Sequence, residues 1–410
     1  MRSFFKVKTA KEVLESLRTV QPLGIETVHI TDALNRILAS EIVSSEDIPG
    51  FQRSTVDGYA LGAKDTFGAS ENLPTPFAIV GEVRMGRKPS FGLARGECAL
   101  ISTGGMLPQG ADAVVMVEYS QKVEDTVVEI SRPVSPLENV ILSDDDVRKG
   151  QVILQKGTRL RPQDLGILAG LGVNTVAVFS KPKAAIISTG EEIVDVTQKP
   201  KPGQVRDINT YTLGGLCTEL GVEPIYLGLA GDSFEDLKVL FEKGLSQADV
   251  ILLSGGSSVG VKDMTLDLFL SFADVELLAH GVSISPGKPT IVARKGNQTL
   301  WGLPGHPVSA MIIFDVFLRY LFARLSGLAD PAGYYRDTVE AELDRNIESA
   351  SGREDYVRVK LVTEDGKLVA KPILGKSGLI STMVEADGIM KIDMNTEGLY
   401  QGDTVRVSVF

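Results

Sequence analysis

Val250-Ile251-Leu252-Leu253-Ser254-Gly255-Gly256-Ser257-Ser258-Val259-Gly260-Val261-Lys262-Asp263 is the stretch that decides the fold class of this chain. Four apolar residues in a row read as a strand buried on both faces. A loop of small residues follows, and Met264 to Phe272 then reads as a helix. Strand, Gly-rich loop and helix make one βα unit of a parallel sheet. Free N–H groups at a helix start and the positive end of its dipole suit an anion, and glycines let a ligand approach the backbone closely. Lys262 and Asp263 add a cation and a metal-capable carboxylate at the same place. Taken alone the stretch is equally a tight βα turn; its company along the chain decides.

Residues 184–327 alternate strand and helix. Strands are expected at Ala184–Ser188, Glu223–Leu229, Val250–Leu253, Thr290–Ala293 and Thr299–Gly302, and helices at Thr210–Leu220, Phe234–Ser246, Met264–Phe272 and Val308–Ser326. That is the pattern of a mostly parallel, doubly wound sheet. Ligands of such sheets bind beyond the carboxyl ends of the strands. Four ends combine Gly with polar or acidic residues: Ser188-Thr189-Gly190-Glu191-Glu192, Gly231-Asp232, the Ser254–Asp263 loop and Gly302-Leu303-Pro304-Gly305-His306-Pro307. Four on one edge point to a pocket. Glu192, Asp232 and Asp263 supply the oxygen ligands that Mg²⁺ prefers beside phosphate, although each alone also reads as a helix cap or first-turn acid. In Pro286-Gly287-Lys288-Pro289 two prolines fix the turn, so Lys288 is aimed as a point charge for phosphate or is an ordinary turn lysine. His29, His280 and His306 show no zinc spacing, and no nucleophile elbow is present.

The flanking sequence is different. Thr9–Val20 reads as an amphipathic helix capped by Thr9, followed by a short strand, Glu26–Ile30, and a helix, Thr31–Leu38. From about 50 to 136 short strands take over (Phe77–Val80, Cys98–Ser102, Ala113–Val117, Val127–Ile130), punctuated by Gly and Pro. Two polar motifs stand out there, Ser54-Thr55-Val56-Asp57-Gly58-Tyr59-Ala60 and Thr103-Gly104-Gly105, and spacing alone reads each as a turn. Residues 139–179 look mixed, with Pro162 opening a helix and Gly172 closing it. Beyond Pro331 the chain is β again: Tyr356–Leu361 alternates strictly, and Asp365-Gly366 marks a hairpin into Leu368–Ile373.

Bulk composition bounds the function. At 410 residues the chain needs two to four domains. With 42 basic and 53 acidic residues the net charge is −11, which disfavours general binding to nucleic acid or to an anionic membrane. Cys98 and Cys217 sit in apolar runs with no ligand motif, so they read as reduced core residues of a cytoplasmic protein. The N-terminus lacks a signal-peptide pattern. Met311–Leu325 is broken by Asp315, Arg319 and Arg324 and is a buried helix, not a membrane span.

The ordered motifs carry a resemblance. Ser54–Ala60, Ser102-Thr103-Gly104-Gly105, Gly110–Val115, Ser188-Thr189-Gly190, Ser254-Gly255-Gly256 with Ser258-Val259-Gly260 and Asp263, Pro286–Pro289, and Gly302–Gly305 with Pro307-Val308-Ser309-Ala310 occur in this order. From about residue 9 to the C-terminus the chain resembles the MoeA molybdopterin molybdenumtransferases, which are similar to the E domain of gephyrin. The resemblance implies an α/β and β multidomain fold. An N-terminal helix (1–21) would pack on a MogA-like α/β domain (181–328). A mixed domain (22–49 and 137–180) would flank an inserted β domain (50–136), and a β barrel (329–410) would end the chain. It implies a cytoplasmic homodimer that inserts molybdate into adenylylated molybdopterin, a polyanionic pterin nucleotide, with Mg²⁺-dependent release of AMP. Other cofactor-biosynthesis proteins and apo-molybdoenzymes would be further partners.

On the same basis Asp57, Thr103, Glu192, Asp232, Asp263 and Lys288 are the catalytic candidates, and Glu192, Asp232 and Asp263 the metal ligands. Asp57 and Thr103 would face the three carboxylates across the dimer. Cofactor-binding positions are Ser188, Thr189, Gly190, Asn209, Ser254, Gly255, Gly256, Ser258, Gly260, Pro304, Gly305, Pro307, Arg353 and Ser381. Two departures stand out. Ser285 occupies a position that is usually basic, and Ile141-Leu142-Ser143 replaces arginines before Asp144-Asp145-Asp146. They leave room for a paralogue with altered oxyanion preference, such as tungstate. A non-catalytic dimeric scaffold of the gephyrin E type is the competing reading, and the retained Asp57, Asp232 and Asp263 argue against it.

Overall fold

The computed structural model describes residues 7–231, 233–255, 259–331 and 335–410, with backbone alone for Val259–Asp263. Glu41–Gln155 and Pro162–Thr175 form one compact unit, and the remainder forms another.

Thr9 caps helix α1 (Ala10–Leu17) by a capping box. Its hydroxyl accepts the Glu12 N–H at 3.2 Å, and the Glu12 carboxylate accepts the Thr9 N–H at 2.8 Å. Val13 and Leu17, four residues apart on one face, are buried in the same apolar cluster as Leu213, Trp301 and Phe314.

The first unit is built on a six-stranded sheet. Its strands are β1 (Gly58–Leu61), β2 (Thr75–Val83), β3 (Glu97–Ile101), β4 (Ala113–Met116), β5 (Ser120–Glu124) and β6 (Val127–Ile130), in the order β4-β1-β3-β2-β6-β5. The turn expected over Ser54–Ala60 is therefore only half a turn. Its second half is β1, a strand paired on both sides and buried at all four residues. Tyr59 and Leu61 enter one apolar cluster and Ala60 another, as strand alternation requires. Helix α2 (Pro162–Gly170) opens on its proline, and Gly172 follows it at φ +70°.

In the second unit the helix expected at Thr31–Leu38 is absent. A single 3₁₀ turn, Ile30–Asp32, stands there. Asn35 has φ +63°, and Ile37 and Leu38 make β-bridges to Arg159 and Val178. Pairing two buried residues with distant backbone outweighs a weak local helix pattern.

The α/β part runs β7 (Lys183–Thr189), α3 (Asn209–Glu219), β8 (Glu223–Ala230), α4 (Phe234–Gln247), β9 (Val250–Gly255), α5 (Val259–Leu270), β10 (Val275–His280), β11 (Ile291–Lys295) and β12 (Gln298–Pro304). The sheet order is β8-β7-β9-β12-β11-β10. The first four strands are mutually parallel; β11 runs antiparallel to β12, and β10 antiparallel to β11. Both faces are covered. Ile186 and Leu252 join the cluster that holds α1, while Ala185, Ile187, Ile251 and Leu253 join Leu237, Phe241 and Phe269 on the other side. That two-sided burial is why the strands read as unbroken apolar runs. After β12 come α6 (Pro307–Ile313), a π-helical turn (Phe314–Leu318) and α7 (Arg319–Leu325). No helix among the described residues is long and apolar enough to cross a membrane.

The C-terminal part closes on itself. β13 (Thr338–Leu343), β14 (Glu354–Glu364), β15 (Lys367–Pro372), β16 (Gly388–Ile392) and β17 (Thr404–Val409) pair in the circuit β14-β15-β13-β17-β16-β14. This is a five-stranded barrel with no free edge within the circuit. Asp365 and Gly366, both at positive φ, make the tight hairpin turn between β14 and β15. The short strand Ile284–Ser285 pairs in parallel with the start of β14, placing Ser285 opposite Asp355.

Candidate functional site

Three parallel strands, β7, β9 and β12, end side by side in register: Thr189 is opposite Gly255, and Gly255 opposite Pro304. The motifs Ser188-Thr189-Gly190, Ser254-Gly255 and Pro304-Gly305 thus share one edge. Ser188, Thr189 and Ser254 are buried. Asn209, at the first turn of α3, is 4% exposed and ties two of these ends together. Its Nδ2 donates to Ser254 Oγ and, at 2.9 Å, to the carbonyl of Gly305. A carbonyl only accepts, so the orientation of the carboxamide is fixed. Asn209 Oδ1 and Thr189 Oγ1 are closed off from water, with no partner among the described residues.

Sequence reading missed Asp207. It is 8% exposed. Its carboxylate accepts from Ser188 Oγ at 3.1 Å, from the Thr210 N–H at 3.1 Å and from Thr210 Oγ1 at 2.6 Å. It does for α3 what Ile208, at the cap position, has no side chain to do. The available signal was Asp207 three residues before Thr210 at a helix start.

Gly190 follows β7 at φ +147°, a conformation that side chains strongly disfavour. A Cβ there would lie 2.7 Å from Glu192 Oε2. The half-buried Glu192 carboxylate therefore rests against the space a side chain would fill. Among the described residues it makes no hydrogen bond or ion pair, which leaves its oxygens available, and oxygen donors are the set Mg²⁺ takes. Asp232, Gly256, Ser258 and the side chain of Asp263 lie outside the described residues, as does any part Gly260 has beyond its place in α5. Among the described residues no three His, Cys, Asp or Glu side chains gather at metal-binding distance.

A second group of predicted residues lines a cleft of about 710 Å³ between the end of β12 and the barrel. Lys288, Pro304, Gly305 and Arg353 all face it, together with Ser285, His306 and Ser377. Lys288 is exposed on a turn held from both sides: its carbonyl accepts the Val282 N–H at 2.9 Å, and Thr290 Oγ1 donates to the Gly287 carbonyl at 2.7 Å. Pro307 is buried as the first residue of α6. His306 shares a 2.8 Å hydrogen bond with Ser377 Oγ, and this contact spans 71 residues of sequence. Ser381 is exposed at the start of a short helix, Ser381–Val384, outside the cleft lining, whereas Ser377 is in it. Below the cleft, burial would raise the Asp355 carboxyl. Hydrogen bonds from Ser349 and Ser285 and the Arg353 charge outweigh that and hold it below the ordinary aspartate range.

In the first unit, Asp57 and Thr103 come together. The Thr103 N–H donates to Asp57 Oδ1 at 2.7 Å and its hydroxyl to the same oxygen at 3.2 Å. Backbone bonds from Gly104 N–H to the Ser54 carbonyl (2.7 Å) and from Ser54 N–H to the Gly105 carbonyl (2.9 Å) stitch the two motifs. Gly58 sets where Asp57 stands, because a Cβ on it would lie 1.8 Å from the Val115 carbonyl oxygen in β4.

Three family models match in chain order. They are the MoeA N-terminal region (domain I and II) over residues 5–172, a probable molybdopterin binding domain over 185–324, and the MoeA C-terminal region (domain IV) over 340–410. The molybdopterin molybdenumtransferase of Haemophilus influenzae is 31% identical over 394 residues, 95% of each chain. The chain belongs to the MoeA family. The molybdopterin molybdenumtransferase of Bacillus subtilis is 30% identical over 93% of this chain and 89% of its own. The crystal structure of a molybdopterin biosynthesis MoeA protein from Pyrococcus horikoshii OT3 matches with a TM-score of 0.84 at 31% identity, over 99% of this chain and all of that one. Membership of the MoeA family makes the chain an enzyme of molybdenum cofactor biosynthesis.

The two departures from the MoeA pattern have local explanations. Ser285 helps hold Asp355 ionised. Ile141 pairs with Arg53 beside the Asp57 motif, Asp145 caps the Leu142 N–H at 2.7 Å, and Asp144 pairs with Arg148 at 3.1 Å. Cys98 and Cys217 are buried free thiols, each pushed up to about 12 by burial.

Proposed function

We propose that this protein inserts molybdate into adenylylated molybdopterin and releases AMP. The observation that carries the reading is the cleft in which Lys288, the Pro304-Gly305 strand end and Arg353 meet, beside the polar ends of β7 and β9. Two cations on one cleft suit a substrate that carries phosphate and an incoming oxyanion. Lys288 holds the phosphates, and Arg353 serves the oxyanion. Glu192, with Asp232 and Asp263, would hold Mg²⁺. Bound there, the ion neutralises the charge that builds up on the phosphoryl oxygens during cleavage.

The protein acts as a cytoplasmic homodimer on this reading. Asp57 and Thr103 of one subunit face the α/β site of the other. Thr103 donates twice to one oxygen of Asp57, leaving the second free to position the substrate. The test is direct: incubate the protein with adenylylated molybdopterin, Mg²⁺ and molybdate, and follow AMP. Release that needs both the metal and the oxyanion is the expected result. Tight nucleotide binding with no turnover under any metal or oxyanion would sink it.

A further inference from the structure

We propose that Asp207 is a positioning residue that sets the geometry of the whole ligand-facing edge of the α/β sheet, acting through its neighbour Asn209. The inference rests on the functional reading above for its ligand, and on the hydrogen bonds alone for its mechanism.

Two residues of one turn connect three strand ends. Asp207 joins the end of β7 to α3, accepting from Ser188 Oγ and twice from Thr210, and the two hydroxyls that donate to it lie 3.0 Å apart. Asn209 joins α3 to the ends of β9 and β12 through Ser254 and Gly305. Ser254 leads into the Gly-rich loop, and Gly305 lies on the cleft and precedes α6. Backbone pairing sets the register of the three strands; the start of α3, which Asp207 holds, sets where Asn209 stands against their ends.

The chemistry of the pair is unusual for a merely structural turn. The Asp207 carboxylate is buried, makes no ion pair among the described residues, and is held by three donors. A buried carboxylate costs several kcal/mol unless it is hydrogen-bonded. A neutral cap of Ser or Asn would hold a helix start with less desolvation. Asn209 in turn keeps an acceptor, Oδ1, with no partner among the described residues, a further cost of burial. Such strain is tolerated where position matters more than stability.

The experiment is a double-mutant cycle. Dissociation constants for adenylylated molybdopterin are measured by calorimetry for wild type, Asp207→Ala, Asn209→Ala and the double variant. Hydrogen exchange over residues 208–213 and the melting temperature are read alongside. We expect each single variant to bind about tenfold more weakly and the double variant to bind no more weakly than either single one. Exchange over 208–213 should rise in Asp207→Ala by tenfold or more. Asp207→Asn, which keeps an acceptor for the Thr210 N–H, should recover most of the affinity. Multiplying losses, near a hundredfold in the double variant, would overturn the proposal, as would unchanged exchange in Asp207→Ala. If wild type binds no nucleotide, the functional reading fails. The exchange result then still decides whether Asp207 sets the start of α3.

Discussion

Gly190→Ala isolates one geometric claim, that the glycine exists to seat the Glu192 carboxylate. The residue sits at φ +147°, and a Cβ on it would lie 2.7 Å from Glu192 Oε2, where ordinary contact begins at 3.4 Å. The strained backbone costs on the order of 1–3 kcal/mol. The carboxylate must also retreat by roughly the difference in contact distance, about 0.7 Å. Mg²⁺ demands near-ideal geometry at about 2.0–2.1 Å, so a shift of that size removes the contact. Positioning partners of metal ligands commonly contribute about 10–100-fold in affinity. The expected result is therefore a 10–100-fold rise in the Mg²⁺ concentration giving half-maximal AMP release, with a stability loss of no more than about 3 kcal/mol in denaturant. Glu192→Ala should raise the Mg²⁺ requirement at least as far. If Glu192→Ala raises it and Gly190→Ala does not, the seat is irrelevant. If neither does, Glu192 is not a ligand.

Four other outcomes follow from the same geometry. Mixing Asp57→Ala chains with Asp263→Ala chains should restore activity, since one site in each mixed dimer carries no substitution; no recovery after verified subunit exchange would place both residues in one subunit's site. Gly58→Ala drives a Cβ to within 1.8 Å of the Val115 carbonyl, so it should destabilise its unit by roughly 3 kcal/mol or more, seen as raised hydrogen exchange over 97–116; wild-type exchange would contradict the packing. Asp355 is held below its ordinary range, so its ionised form stabilises the fold above the unfolded value of about 3.9, and that contribution is lost as pH falls through the lower folded value. The stability gap between wild type and Asp355→Asn in urea should accordingly close below about pH 4, and a gap independent of pH would rule the charge out. Ser285→Lys should tighten molybdate binding only weakly in the wild-type background, because the new ammonium meets Asp355 first, and more strongly beside Asp355→Asn; equal gains in both backgrounds would show that Asp355 does not compete.

Legibility in the sequence followed the length and two-sidedness of each element. Strands β7, β9 and β12 are buried on both faces, so they read as apolar runs that no other structure explains. Helix α1 declared itself through Thr9, Glu12 and a three-residue apolar face. Strand β1 did not. It has four residues and starts at a glycine, and its partners lie 37 or more residues away, at Cys98–Ile101 and Ala113–Met116. A local reading sees only a polar turn there. Val275–His280 was missed because Leu277, Leu278 and Ala279 break the alternation, and a bulge in its pairing with β11 absorbs the irregularity. The helix expected at Thr31–Leu38 failed for the converse reason. Ile37 and Leu38 are bridged to the distant residues Arg159 and Val178, and periodicity over eight residues cannot tell a helix from a buried extended segment.

The site was legible where chemistry is local and illegible where it is tertiary. A proline-bracketed lysine and Gly-rich strand ends are local signals, and Lys288 and Gly305, which carry them, share one cleft. Asp207 was not named, because a carboxylate that points inward to hydroxyls looks, in sequence, like any acidic helix cap. Ser377 was passed over for Ser381, four residues on, since its only marker is a bond to His306. The Ser285 departure shows the same limit from the other side. Read by position it is a missing cation. In place it is the partner of Asp355, which Arg353 also binds at 3.1 Å. Arg353 therefore divides its charge between that carboxylate and the cleft. If Arg353 holds the oxyanion as proposed, its affinity depends on how firmly Ser349 and Ser285 satisfy Asp355, because each hydrogen bond they donate lessens its demand on the guanidinium. A basic residue at 285 and a serine that satisfies a neighbouring carboxylate are two solutions to one electrostatic problem, and only the fold shows which of them this chain uses.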